Sequence, residues 1–144
     1  MVSFDTNIAV HAANESYPVH RAAYDFIASL GSQRDVAVCE LMLVELYLKL
    51  RNEKIFTKPL GPAQAVAVCQ AYRNNAAWIL VDSAPVMHEV WRLAAARSFP
   101  FRRIIDARLA LTLIHHGVTE FATTNVKDFH GLGFERVWNP LAGA

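Results

Sequence analysis

Asp5, Glu45, Asp106 and Asp128 are acidic residues set among apolar neighbours. Asp5 ends the strand-like run Met1 to Phe4, and Glu45 interrupts Leu41-Met42-Leu43-Val44 and Leu46-Tyr47-Leu48. Asp106 follows Ile104-Ile105 and leads into Ala107 and Leu109-Ala110-Leu111, while Asp128 lies in Thr124-Asn125-Val126-Lys127-Asp128-Phe129. A carboxylate in apolar surroundings costs several kcal/mol unless it is paired, protonated or bound to metal. Each has an ordinary explanation by itself. Asp5 could cap a first helix, Asp106 could cap a helix from Ala107, and Glu45 could stand on an exposed helix face. Taken together at strand ends and helix starts, they read as converging carboxylates. Oxygen-only donors of that kind suit Mg²⁺ or Mn²⁺, ions that acidify bound water and stabilise charge on a phosphoryl oxygen.

Other chemistries are poorly served. His11, His20, His88, His115, His116 and His130 lack zinc-ligand spacing. Ser3 and Ser83 lack a nucleophile elbow, and no glycine-rich phosphate loop is present. Cys39 and Cys69 are the only two cysteines and lie among apolar residues, so they read as small core side chains. Basic residues flank the acids. Arg102, Arg103 and Arg108 surround Asp106, Lys127 adjoins Asp128, and Lys49, Arg51, Lys54 and Lys58 follow Glu45. Such residues could hold a nucleic-acid backbone without reading sequence, or an arginine among them could neutralise the acids. Tyr47 and Phe101 could stack on bases, though core packing is the expected role.

The elements that would carry these residues alternate in period. Short apolar runs at Met1–Phe4, Val36–Cys39, Trp78–Val81, Phe121–Thr123 and Arg136–Trp138 predict strands. Helices are expected from about Ser16 to Leu30 with Gly31 as its stop, and from Glu40 to about Phe56. Others are expected from Pro62 to about Asn74, from an Asp82 or Ser83 cap to about Arg97, and from Ile104 to His116 closed by Gly117. Strands alternating with helices imply right-handed crossovers, and hence a mainly parallel four- or five-stranded sheet in a three-layer α/β/α fold. The chemistry of such sheets lies beyond the carboxyl ends of their strands.

At 144 residues the chain is expected to form one domain, residues 1–144. Its 53% hydrophobic and 19% charged composition excludes disorder and low complexity. The net charge of +1 makes any nucleic-acid role a matter of local placement. Asp5 breaks the first apolar run, and no stretch reaches the length of a membrane span, so a cytoplasmic protein with no membrane partner is expected.

Four segments carry a family resemblance. Phe4-Asp5-Thr6-Asn7, Leu43-Val44-Glu45-Leu46, Ile105-Asp106-Ala107 and Thr123-Thr124-Asn125-Val126-Lys127-Asp128-Phe129 occur in the order and kind of the PIN-domain ribonucleases, specifically the VapC-type toxins of toxin–antitoxin pairs. The chain resembles that family from Asp5 to Phe129. The resemblance implies a metal-dependent endoribonuclease using Mg²⁺ or Mn²⁺, with Asp5, Glu45 and Asp106 as ligands and catalytic acids. Family members have Asp or Asn where this chain has Asn125, a candidate ligand through one carbonyl oxygen or a water, and an Asp three residues later, here Asp128. Either Asp128 completes the set, or one ion is well ordered and a second arrives with substrate. Thr6 and Thr123 occupy places where the family often orients a ligand or phosphate, and with Arg102, Arg103 and Lys127 they are the expected RNA contacts. A cognate antitoxin and a homodimer are the implied partners, using surplus apolar surface around Trp91, Phe99 and Trp138. Two alternatives remain. A haloacid-dehalogenase-type phosphotransferase needs a second Asp where this chain has Asn7, and a PIN-like module could bind RNA or a partner without cleaving.

Overall fold

The computed structural model describes residues 1–143. Five strands alternate with seven helices: β1 (Val2–Phe4), α1 (Thr6–Ala13), α2 (His20–Leu30), β2 (Ala37–Cys39), α3 (Glu40–Leu50), α4 (Pro62–Arg73), β3 (Ile79–Val81), α5 (Met87–Ala94), α6 (Arg103–His115), β4 (Glu120–Ala122), α7 (Val126–Phe129) and β5 (Arg136–Trp138). Every strand pairing is parallel. β1, β4 and β5 form one set and β2 with β3 another. A single parallel bridge between Val2 and Val36 joins the two, giving the spatial order β3-β2-β1-β4-β5. Ser3 strengthens this thin junction, because its buried hydroxyl donates to the Ala37 carbonyl at 2.7 Å. The expected sheet is thus present, with its regular pairing interrupted between β1 and β2.

Burial explains the periodicities. Phe4, Val38, Phe121 and Ala122 are fully enclosed strand residues. The α3 helix buries Met42, Leu43, Leu46 and Leu50, and α6 buries Ala107, Leu109, Ala110 and Leu113. Around them, Phe4 meets Trp78 edge-on at 5.7 Å and Phe121 stacks on Phe134 at 5.0 Å. Cys39 is buried and Cys69 half-buried, both free thiols among these residues.

Helix boundaries moved where polar side chains or proline intervened. The second helix begins at His20 because Asn14 Oδ1 accepts from both the amide and the hydroxyl of Ser16, and Pro18 follows within the same turn. It ends at Gly31 with a right-handed φ of −56°, so no left-handed glycine cap forms. The α3 helix stops at Leu50 because Asn52 turns the chain, accepting the Lys54 amide through its side chain. Asp82 caps nothing: its carboxylate accepts only the Ser83 amide, and α5 starts after Pro85. Gly117 does adopt the left-handed φ, +96°, that closes α6.

β1 lies between β2, which follows it in sequence, and β4, which arrives much later. The direction of strand succession reverses there, the position at which ligands of open α/β sheets bind, beyond the carboxyl ends of β1 and β4.

Candidate active site

Asp5 follows β1 directly, and its amide donates to the Ala122 carbonyl at the end of β4 at 2.8 Å. The backbone of Asp5 begins α1, but its side chain forms no cap. The carboxylate instead accepts a 2.8 Å hydrogen bond from the hydroxyl of Thr123, across 118 positions of sequence. Thr123 is wholly buried, and its oxygen also accepts the Asn125 amide at 2.9 Å. That amide has the hydroxyl's lone pair, so the single hydroxyl proton is free to point at Asp5.

Asp5 is 6% exposed, and burial raises its pKa. The Thr123 hydroxyl opposes burial most strongly, followed by the Lys49 charge, while Glu45 adds to the rise. Asp106 is half-buried in the first turn of α6, a helix that starts three residues earlier, so it is not the cap for a helix at Ala107. Burial, with the charges of Asp5, Asp128 and Glu45, pushes its pKa up to about 6, and Lys49 alone acts the other way. Asp106 thus stands close enough to Asp5, Asp128 and Glu45 for their charges to oppose its ionisation. Glu45 is half-buried on α3 and Asp128 exposed on α7.

The carboxylates influence one another by charge without closing into a chelate. Among the described residues, no three His, Cys, Asp or Glu side chains stand together as a ready-made ion site. Their chemistry nevertheless fits a hard dication, because the donors are oxygens and their charges are incompletely balanced. Asn125 is exposed at the start of α7, where it offers a neutral amide.

The basic and hydroxyl residues divide by role. The Thr6 hydroxyl is buried and directed at the Met42 carbonyl at 3.5 Å, so neither expected threonine presents its hydroxyl to solvent. Arg103 is committed to the fold: Nε donates to the Asp128 carbonyl at 2.8 Å and Nη2 to the His130 carbonyl at 2.7 Å. It fastens α7 to the start of α6, keeping Asp128 beside Asp106. Arg102 and Lys127 are exposed, with the Arg102 guanidinium 5.5 Å from the Phe101 ring centre. Phe101 itself is 80% exposed and packs in no core, contrary to expectation. The cation among the acids is a lysine, not an arginine. Lys49 Nζ donates to Asn7 Oδ1 at 2.7 Å, linking α3 to α1. Asn7 stands two positions after Asp5 and Lys49 one helical turn after Glu45, but no local pattern pairs the two.

The PIN domain model matches residues 2–135. The chain is 52% identical over 141 residues to ribonuclease VapC24 of Mycobacterium tuberculosis, covering 98% of this chain and 97% of the relative. Among solved structures it resembles VapBC2 from Rickettsia felis bound to a promoter DNA fragment, with a TM-score of 0.63, 18% identity and coverage of 96% and 98% of the two chains. It also resembles M. tuberculosis VapC20, a sarcin-ricin loop cleaving toxin, with a TM-score of 0.60, 15% identity and coverage of 84% and 87%. A family match across nearly the whole chain, joined to a relative more than half identical over almost its full length, identifies the chain as a member of the PIN domain family.

Proposed function

We propose that this chain is a metal-dependent endoribonuclease, the toxin of a toxin–antitoxin pair, hydrolysing RNA phosphodiester bonds at the cleft of Asp5, Glu45, Asp106 and Asp128. The observation that carries the reading is the buried Asp5 carboxylate, held by Thr123 and coupled by charge to Glu45 of α3 and Asp106 of α6. Its near full-length likeness to a protein named as a ribonuclease supports the same activity. Mg²⁺ or Mn²⁺ held by these carboxylates would supply Lewis-acid stabilisation of phosphoryl charge and a more acidic water. Thr123 fixes which Asp5 oxygen faces inward, and Arg103 fixes the approach of Asp128 to Asp106. Exposed Arg102 and Lys127 are placed to receive flanking phosphates.

A cognate antitoxin is the proposed protein partner, in keeping with the VapBC2 likeness. Exposed Val44, Leu48, Trp91 and Ile105 supply apolar surface for that partner or for a homodimer. Among the described residues no helix is long and apolar enough to cross a membrane. A non-cleaving RNA-binding role draws on the neutral Asn125 and the unclosed acid cluster. The test is cleavage of RNA by antitoxin-free protein with Mn²⁺, Mg²⁺ or EDTA, beside an Asp5→Asn variant. Ion-dependent cleavage that vanishes in a folded Asp5→Asn variant is expected. Tight RNA binding without cleavage under any ion would replace the nuclease reading with the binding one.

A further inference from the structure

We infer that Lys49 is an RNA-contacting residue: its ammonium, tethered by Asn7 beside the site acids, meets a phosphate oxygen next to the carboxylates. The inference rests on the nuclease reading and adds a substrate contact to it. Glu45 and Lys49 are four residues apart on α3, a spacing that puts both side chains on one side of the helix. The first reaches the acids, and the second lies one turn further along the same wall.

The tether explains why this charge is available. A lysine serving only to neutralise the acids would pair with one of them. Among the described residues Lys49 makes no ion pair within 4.0 Å. It donates instead to the neutral Asn7 amide oxygen, which positions the ammonium without cancelling its charge. An ammonium has three donors, and this bond uses one. Lys49 is half-buried, so its field reaches its neighbours with less screening than at the surface. The groups that feel it are Asp5, Asp106 and the His11 imidazole.

Electrostatics then calls for such a contact. Neighbouring carboxylates repel a phosphodiester, and a fixed cation beside them offsets that repulsion where the phosphate must approach. A compact ammonium with free donors is a point-charge phosphate ligand.

The test uses the full chain and a fluorescent single-stranded RNA oligonucleotide in EDTA, read by anisotropy over a range of salt. Mn²⁺ binding is measured separately by calorimetry, and cleavage by wild type with Mn²⁺ serves as reference. Lys49→Met should weaken RNA binding about tenfold and reduce the salt slope by about 0.7. It should bind Mn²⁺ more tightly, because a like charge has gone. Lys49→Arg should keep the wild-type salt slope. If Lys49→Met fails to fold, Lys49→Gln carries the same expectations. Opposite changes in RNA and Mn²⁺ affinity distinguish a phosphate contact from a strut between α3 and α1, whose loss would weaken both. Unchanged RNA affinity and slope in a folded variant, or parallel loss of both affinities, overturns the inference and leaves a cleaving wild type as a nuclease. A wild type that neither binds nor cleaves RNA removes the nuclease reading, and the inference with it.

Discussion

Replacing Asp106 by Asn should stabilise the metal-free protein, with a pH dependence that follows from its surroundings. In the fold, burial and the charges of Asp5, Asp128 and Glu45 push the Asp106 pKa from 3.8 to about 6. A raised carboxyl pKa makes ionisation unfavourable in the folded state. The penalty appears as pH rises through the unfolded value and stops growing above the folded one. Fully converted, that difference is about 3 kcal/mol. Asp106 is only half-buried, so solvent screening reduces the expectation to about 1–2 kcal/mol. For a chain of 144 residues this corresponds to a melting temperature about 3–6 °C higher for Asp106→Asn near pH 7.5. The advantage should shrink below pH 6 and nearly vanish by pH 3.5, where the wild-type carboxyl is mostly protonated in both states. Thermal melts in EDTA across pH 3.5–8 measure it, with the variant's difference from wild type isolating this one group. Saturating Mn²⁺ should reverse the order, adding about 2.7 kcal/mol to wild type at a hundred times its dissociation constant and little to the variant. A variant less stable than wild type at pH 7.5 without metal, or a difference that ignores pH, would refute the account of a repulsive acid cluster.

Two further outcomes test the supports of the cleft. Thr123→Val removes the hydroxyl that favours ionised Asp5 and strands the Asn125 amide; it should cost about 1–3 kcal/mol in thermal melts and move the acidic limb of the cleavage profile to higher pH. Asp128→Ala should weaken Mn²⁺ binding in calorimetry more than Asn125→Ala, because only the first removes a charge acting on Asp106; equal losses would place the fourth ligand elsewhere.

The acids themselves were legible because their exception is local: a charge among apolar neighbours shows in a single line of sequence. The strands were legible for a similar reason, and Arg136–Trp138 forms where its short apolar run predicts. Helix ends were less legible, since Asn14, Asn52 and Pro85 decide them through side-chain bonds and missing donors that compete with periodicity. The expected roles of single residues depended on partners that no local pattern names. Thr123 and Arg103 stood out as possible RNA contacts, yet one holds Asp5 and the other holds the backbone of α7. Lys49 stood in a row of basic residues, with nothing in that row to single it out from Arg51 or Lys54. Helix and strand periods record which side of an element is apolar, and they extend over a few residues at a time. Parallel pairing joins β1 to β4, bringing Asp5 to Thr123, and helix packing brings Lys49 to Asn7. The sequence by itself determined which residues carry charge among apolar neighbours, where the strands run and where the longer helices lie, though not the short α7. Only the tertiary structure decided what each charge meets, because those partners lie tens to more than a hundred positions apart and come together only when the crossovers close.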